Sequence, residues 1–128
     1  MMDLLNTKSY DLYYADQSYL ERTFDQIQRD FDMTGISFDR DKNIPKSYQE
    51  LYLLVLRNIY HLIKQDHSQF KNLLYRIDVS ENAIHRKMAL NADLKLEEEI
   101  SKMIIERCLL KVLTREKFCF LFINTIFA

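Results

Sequence analysis

The strongest constraint on this chain is what it lacks: one glycine, Gly35, and one proline, Pro45, stand among 128 residues. Average usage would give roughly nine glycines and six prolines in such a length. These two residue types supply most of the backbone angles that hairpins and barrel corners require. An all-β sandwich or barrel is therefore disfavoured, and a glycine-rich phosphate loop is impossible. Hydrophobic residues make up 48% and charged residues 29%, which excludes global disorder, and the length suits one domain. The expected fold is all-α: a single-domain bundle of about five helices, mostly antiparallel, with a long buried C-terminal helix.

Hydrophobic spacing and capping residues place the helices. Residues 1–17 carry Tyr10, Tyr13 and Tyr14 without clear helical period, so an extended or partly helical arm is expected, its tyrosines packed on the body. A helix follows from Ser18, with Glu21 completing a capping box. Its stripe is Leu20, Phe24, Ile27 and Phe31, and Gly35 ends it. A second helix runs from Pro45 or Ser47 to Gln65, apolar on a broad face. Asp66 or Ser68 caps a third helix, carrying Phe70, Leu73, Leu74 and Ile77; Asp78 or Ser80 caps a fourth, with Ile84 and Met88. The last begins near Asn91 to Asp93 and runs past Lys117. From Met103 to Leu113 its apolar positions point nearly all round, which places it at the centre of the fold or of an oligomer.

Charge and cysteine content narrow the functional classes. Eighteen basic residues against nineteen acidic ones give a net charge of −1, without the positive excess that phosphate neutralisation favours in nucleic-acid binders. The N-terminus lacks the pattern of a secretory signal, and no apolar run is long enough for a membrane span. Cys108 and Cys119 lie eleven residues apart, about 16 Å on a continuous helix, too far for a disulfide. Reduced thiols and a cytoplasmic setting are expected.

Three polar constellations invite functional readings. Asp39-Arg40-Asp41-Lys42-Asn43 with Glu50 has the oxygen spacing of a calcium loop. Ile44, however, stands where such loops turn on glycine, and Pro45 drives it extended. A solvated polar loop, with Ser47 and Glu50 as a capping box, is the stronger reading. The segment 70–88 could form a helix-turn-helix presenting Asn82, His85, Arg86 and Lys87 to DNA, but its turn has no glycine and Asp78 and Glu81 flank it. Arg107, Lys111 and Arg115 recur every four residues as a basic stripe. Pairing with Asp25, Asp30 or Asp32 of the first long helix is expected over ligand binding. His61, His67 and His85 have no metal-ligand spacing, and neither cysteine has a nearby histidine. No catalytic residue, metal or cofactor is expected.

The C-terminal segment 118–128 departs most from an ordinary surface. Phe118, Phe120, Phe122 and Phe127 are half of the chain's eight phenylalanines, with Leu121, Ile123 and Ile126 between them. Too short to span a bilayer and lacking a charged face, it must be covered, either by the chain's own core or by a second subunit.

Leu73-Leu74-Tyr75-Arg76-Ile77-Asp78-Val79-Ser80-Glu81, with Ile105-Glu106-Arg107 and Lys111-Val112-Leu113-Thr114-Arg115, resembles a family of small uncharacterised bacterial all-helical proteins across the C-terminal half. The resemblance implies an intracellular helical bundle and attaches no activity. Chains of that family end near the position of Phe118, so the tail is an addition to the pattern. The function expected is protein–protein contact without catalysis, probing itself as the first partner through Phe118, Phe120, Leu121, Phe122, Ile123, Ile126 and Phe127. DNA regulation through 70–88 is the first alternative, and a ligand binder or enzyme with a pocket between helices is the second.

Overall fold

The computed structural model describes residues 7–38 and 44–127, without the side chains of residues 7–9, 122, 123, 126 and 127. Among the described residues there are six helices and no strand: α1 (Thr7–Ala15), α2 (Gln17–Met33), α3 (Tyr48–Gln65), α4 (His67–Ile77), α5 (Glu81–Leu90) and α6 (Leu96–Phe127). The all-α expectation holds, with one helix more than the five read from spacing. The extra one is α1, whose sequence has little two-sided character of its own. Its contacts hold it instead: Tyr10 is buried, and the Tyr14 and Tyr48 rings lie 4.6 Å apart between centroids.

Local chemistry sets the helix ends. The cap of α2 is Asp16 rather than Ser18: its carboxylate accepts from the N–H of Ser18 at 2.8 Å and of Tyr19 at 3.4 Å. An aspartate at the cap reaches these first-turn donors directly. At the other end, Gly35 takes a φ of 79°. The Gly35 N–H donates to Asp32 O and the Ile36 N–H to Phe31 O, the Schellman arrangement that closes a helix. Ser47 caps α3 by accepting from the Glu50 N–H, while the Glu50 carboxylate accepts from the Lys46 N–H, so the expected box forms with its return bond shifted by one residue. Asp66 ends α3 and caps α4, and Ser80 caps α5.

The turn between α4 and α5 lacks glycine but has the geometry glycine would give. Asp78 takes φ 68° and ψ 45°, and the Val79 and Asp78 N–H groups donate to Leu74 O and Tyr75 O. Aspartate tolerates this left-handed region better than most side chains, so a second Schellman turn forms without the expected residue.

α6 is the centre of the bundle. Ile100, Ile104, Ile105, Cys108, Leu109 and Val112 are all buried, and the helix packs against α2, α3, α4 and α5. Full burial of each such aliphatic side chain contributes about 1.5–3 kcal/mol. α2 runs antiparallel to α6, with Asp30 beside Lys111 and Tyr19 beside Glu116. This register places the start of α2 level with the turn of α6 around Glu116.

Candidate functional site

Lys111 and Arg115 of the basic stripe of α6 reach across to α2, and Lys111 to α4 as well. Lys111 Nζ lies 2.9 Å from Asp30 Oδ2 and 3.2 Å from Arg76 O. Arg76 Nε lies 3.5 Å from Asp30 Oδ1. Gln26 Nε2 donates to Asp30 Oδ1 at 3.2 Å, and Arg115 Nη2 donates to Gln26 Oε1 at 2.9 Å. Of the three aspartates expected as partners, Asp30 is the one engaged, and it is fully buried. Arg107 turns away to Asp78 Oδ2 at 2.7 Å, tying α6 to the α4–α5 turn.

A buried carboxylate is tolerated only with paired, hydrogen-bonded surroundings, and Asp30 has both. The Cys108 thiol completes them by donating to Asp30 Oδ2 at 3.6 Å. Burial pushes that thiol well above the ordinary cysteine range, and the Asp30 charge adds to the effect. Cys108 therefore remains a protonated donor rather than a nucleophile. The network joins three helices and holds no displaceable group at its centre. Its arginine at the outer end differs: Arg115 terminates on the neutral amide of Gln26, and no carboxylate among the described residues pairs with it.

A second charged seam lies on the far side of α6. Glu99, buried, sits 3.3 Å from Lys87 of α5 and 3.3 Å from Lys102. Sequence spacing does not single out this seam, whereas buried Tyr10 and core-packed Tyr14 meet the expectation that the arm's tyrosines rest on the body. Tyr48 is pushed up to about 12, first by burial and then by neighbouring Tyr52, which keeps its phenol neutral.

The remaining sequence motifs fare differently. Positions 39–43 of the calcium-like spacing lie outside the described residues, and Glu50 is engaged in capping. In the segment 70–88, α5 takes its main packing from α6, and Lys87 is tied to Glu99, which leaves Asn82, His85 and Arg86 exposed. A helix-turn-helix reader instead supports its recognition helix on the preceding one.

The end of α6 has no such cover. Among the described residues its last side-chain hydrogen bond to the bundle is that of Glu116, whose two oxygens accept from Tyr19 Oη at 2.9 and 3.0 Å, with Arg22 3.8 Å away. One turn later α2 has ended, while α6 continues to Phe127. Phe118 is 69% exposed, Phe120 65% and Leu121 54%, and Cys119 is exposed beside them. The chain's own core therefore does not cover these three side chains. The side chains of Phe122, Ile123, Ile126 and Phe127 lie outside the described residues. Among the described residues, no helix is long and apolar enough to cross a membrane.

Comparison of the chain with known protein families, with curated proteins and with solved structures returns no match. The functional reading accordingly rests on these residues alone.

Proposed function

We propose that this chain is a non-catalytic, cytoplasmic protein that works through protein–protein contact and pairs with a second copy of itself through the last turns of α6. The observation that carries this reading is the exposure of Phe118, Phe120 and Leu121 on a helix that outruns its neighbours. Exposed apolar patches beyond a few hundred Å² mark interaction sites.

The choice of a second copy follows from helix geometry. Phe118, Cys119, Phe120 and Leu121 are consecutive, so successive turns of about 100° point them in every direction around the axis. One shallow groove on an unrelated partner would leave part of this circumference wet. Two such ends crossing about a two-fold axis, each resting also on the other's bundle, cover more of it and meet the isologous rule for dimers. A stable pair needs about 800 Å² per partner, and the eleven residues from Lys117 to Phe127 give about 16 Å of helix to supply it. The free thiols Cys108 and Cys119 suit a reducing compartment, and the resemblance of the C-terminal half to small bacterial helical proteins belongs to the same reading.

Light scattering on the full chain tests it. The expected mass is twice 15.5 kDa, falling to one chain both on truncation after Lys117 and in the double substitution Phe120→Glu, Leu121→Glu. Circular dichroism of each variant should retain the helical bundle. A full-length chain of single mass, or a dimer that survives both changes, overturns the proposal.

A further inference from the structure

The end of the bundle carries a second feature, a groove of about 380 Å³ between α2 and α6. On α2 it is walled by Arg22, Asp25, Gln26 and Arg29; on α6 by Val112, Arg115, Glu116 and Cys119. Each set follows the spacing i, i+3, i+4, i+7, so two antiparallel helices turn one edge each toward the same space. Its volume lies within the range of about 300–1,000 Å³ that small-molecule sites occupy.

The charges lining it do not cancel in pairs. The two Glu116 oxygens share the single Tyr19 hydroxyl proton, Oε2 lies 3.8 Å from Arg22, and the Arg22 guanidinium sits 4.3 Å above the Tyr19 ring. These three groups hold one another. Arg115 donates to the neutral amide of Gln26, and Arg29 makes no hydrogen bond or ion pair with the described residues. Asp25 is the carboxylate that remains; it accepts from Gln28 Nε2 at 3.5 Å and pairs with neither arginine. Arg115, bonded to a neutral amide, and Arg29, without a partner among the described residues, thus face one exposed carboxylate in a chain whose net charge is −1.

We infer that this groove binds a small organic oxyanion, its head held by Arg29 and Arg115 from opposite walls and its apolar body resting on Val112. Guanidinium groups recognise carboxylate and phosphate in the same forked geometry, so the shared chemistry is an oxyanion head on a compact apolar group. The Gln26 amide holds Arg115 in place and links it to buried Asp30. Arg29 is thereby the adaptable contact, and Arg115 the preorganised one.

Titration calorimetry of the full chain with phenyl phosphate and with benzoate tests the site and identifies its preferred head. Saturable binding of at least one probe is expected, weakened at least tenfold by Arg29→Gln and unchanged by Arg86→Gln, an exposed cation on α5. Arg29 is exposed and makes no hydrogen bond or ion pair with the described residues, so its replacement is expected to leave the fold intact. Phe120→Glu with Leu121→Glu should bind the probe as the parent chain does, which separates this site from the helix end. Absence of saturable binding by both probes overturns the inference. So does binding indifferent to Arg29→Gln, binding equally sensitive to Arg86→Gln, or binding lost with the helix-end pair.

Discussion

Ile100–Val112 and Phe118–Phe127 are stretches of one uninterrupted helix, and both are rich in large apolar side chains. In the first, Ile100, Ile104, Ile105, Cys108, Leu109 and Val112 are buried; in the second, Phe118, Phe120 and Leu121 stand in water. Local composition does not separate them. Their neighbours do: α2, α3, α4 and α5 surround the first stretch, whereas α2 begins at Gln17, two residues before the Tyr19 that faces Glu116, and leaves Phe118, Phe120 and Leu121 uncovered. An apolar helical segment is therefore buried or exposed according to where the adjoining helix starts. Here the capping carboxylate of Asp16 fixes that start.

Each stretch contains one cysteine, which gives the sharpest way to break the comparison. In dilute native protein Cys119 should react with a maleimide at the rate of an open thiol. Cys108, buried and held protonated, should react about a thousandfold more slowly or less, as expected where labelling requires unfolding. Comparable native rates, read by mass spectrometry, would mean that the core stretch is not closed.

Stability measurements come next in size. Asp30→Ala strands Lys111 and Arg76 beside a buried gap and should cost about 3–5 kcal/mol in urea unfolding. Ile104→Ala should cost about 2–5 kcal/mol, from lost transfer energy and the cavity left behind. The same class of change in the exposed stretch, Leu121→Ala, should move the dilute monomer by less than about 0.5 kcal/mol. Equal losses at Ile104 and Leu121 would erase the distinction between the two halves.

The smallest effect is one of pH. The folded Cys108 thiol titrates above its unfolded value, so its contribution is complete below the unfolded pKa and is lost as pH rises through the folded one. Stability should decline above the ordinary cysteine range, near pH 8.5, and Cys108→Ala should flatten that decline. An unchanged slope in the variant would remove Cys108 from the account.

Much of this bundle was legible because caps and stripes are local signals. Ser47, Asp66, Ser80 and Gly35 act where their residue types predict, and the central position of α6 follows from its all-round apolar face. α1 was not legible as a full helix, because Tyr10 and Tyr14 are ordered by residues distant in sequence. The turn before Ser80 was legible, but its left-handed geometry at Asp78 was not: glycine is the usual signal for such backbone, and aspartate adopts it here with Arg107 alongside. The stripe of Arg107, Lys111 and Arg115 was visible, and Asp30 was among three candidate partners. The choice among them depended on the rotation of α2 against α6, which neither helix encodes alone. The groove proposed for an oxyanion has the same origin, since Arg29 and Arg115 come to line one space only through the antiparallel pairing of those helices.

α6 contains neither glycine nor proline from Leu96 to Phe127, so nothing in its composition provides a hinge between the bundle and the projecting end. Whatever grips that end is held in rotational phase with the core. Inserting one residue after Thr114 would turn the end by about 100° and advance it about 1.5 Å while leaving the core stripe through Val112 in place. The helix acts as a keyed shaft, and the spacing between Val112 and Phe118 sets the direction in which its exposed end faces relative to the core.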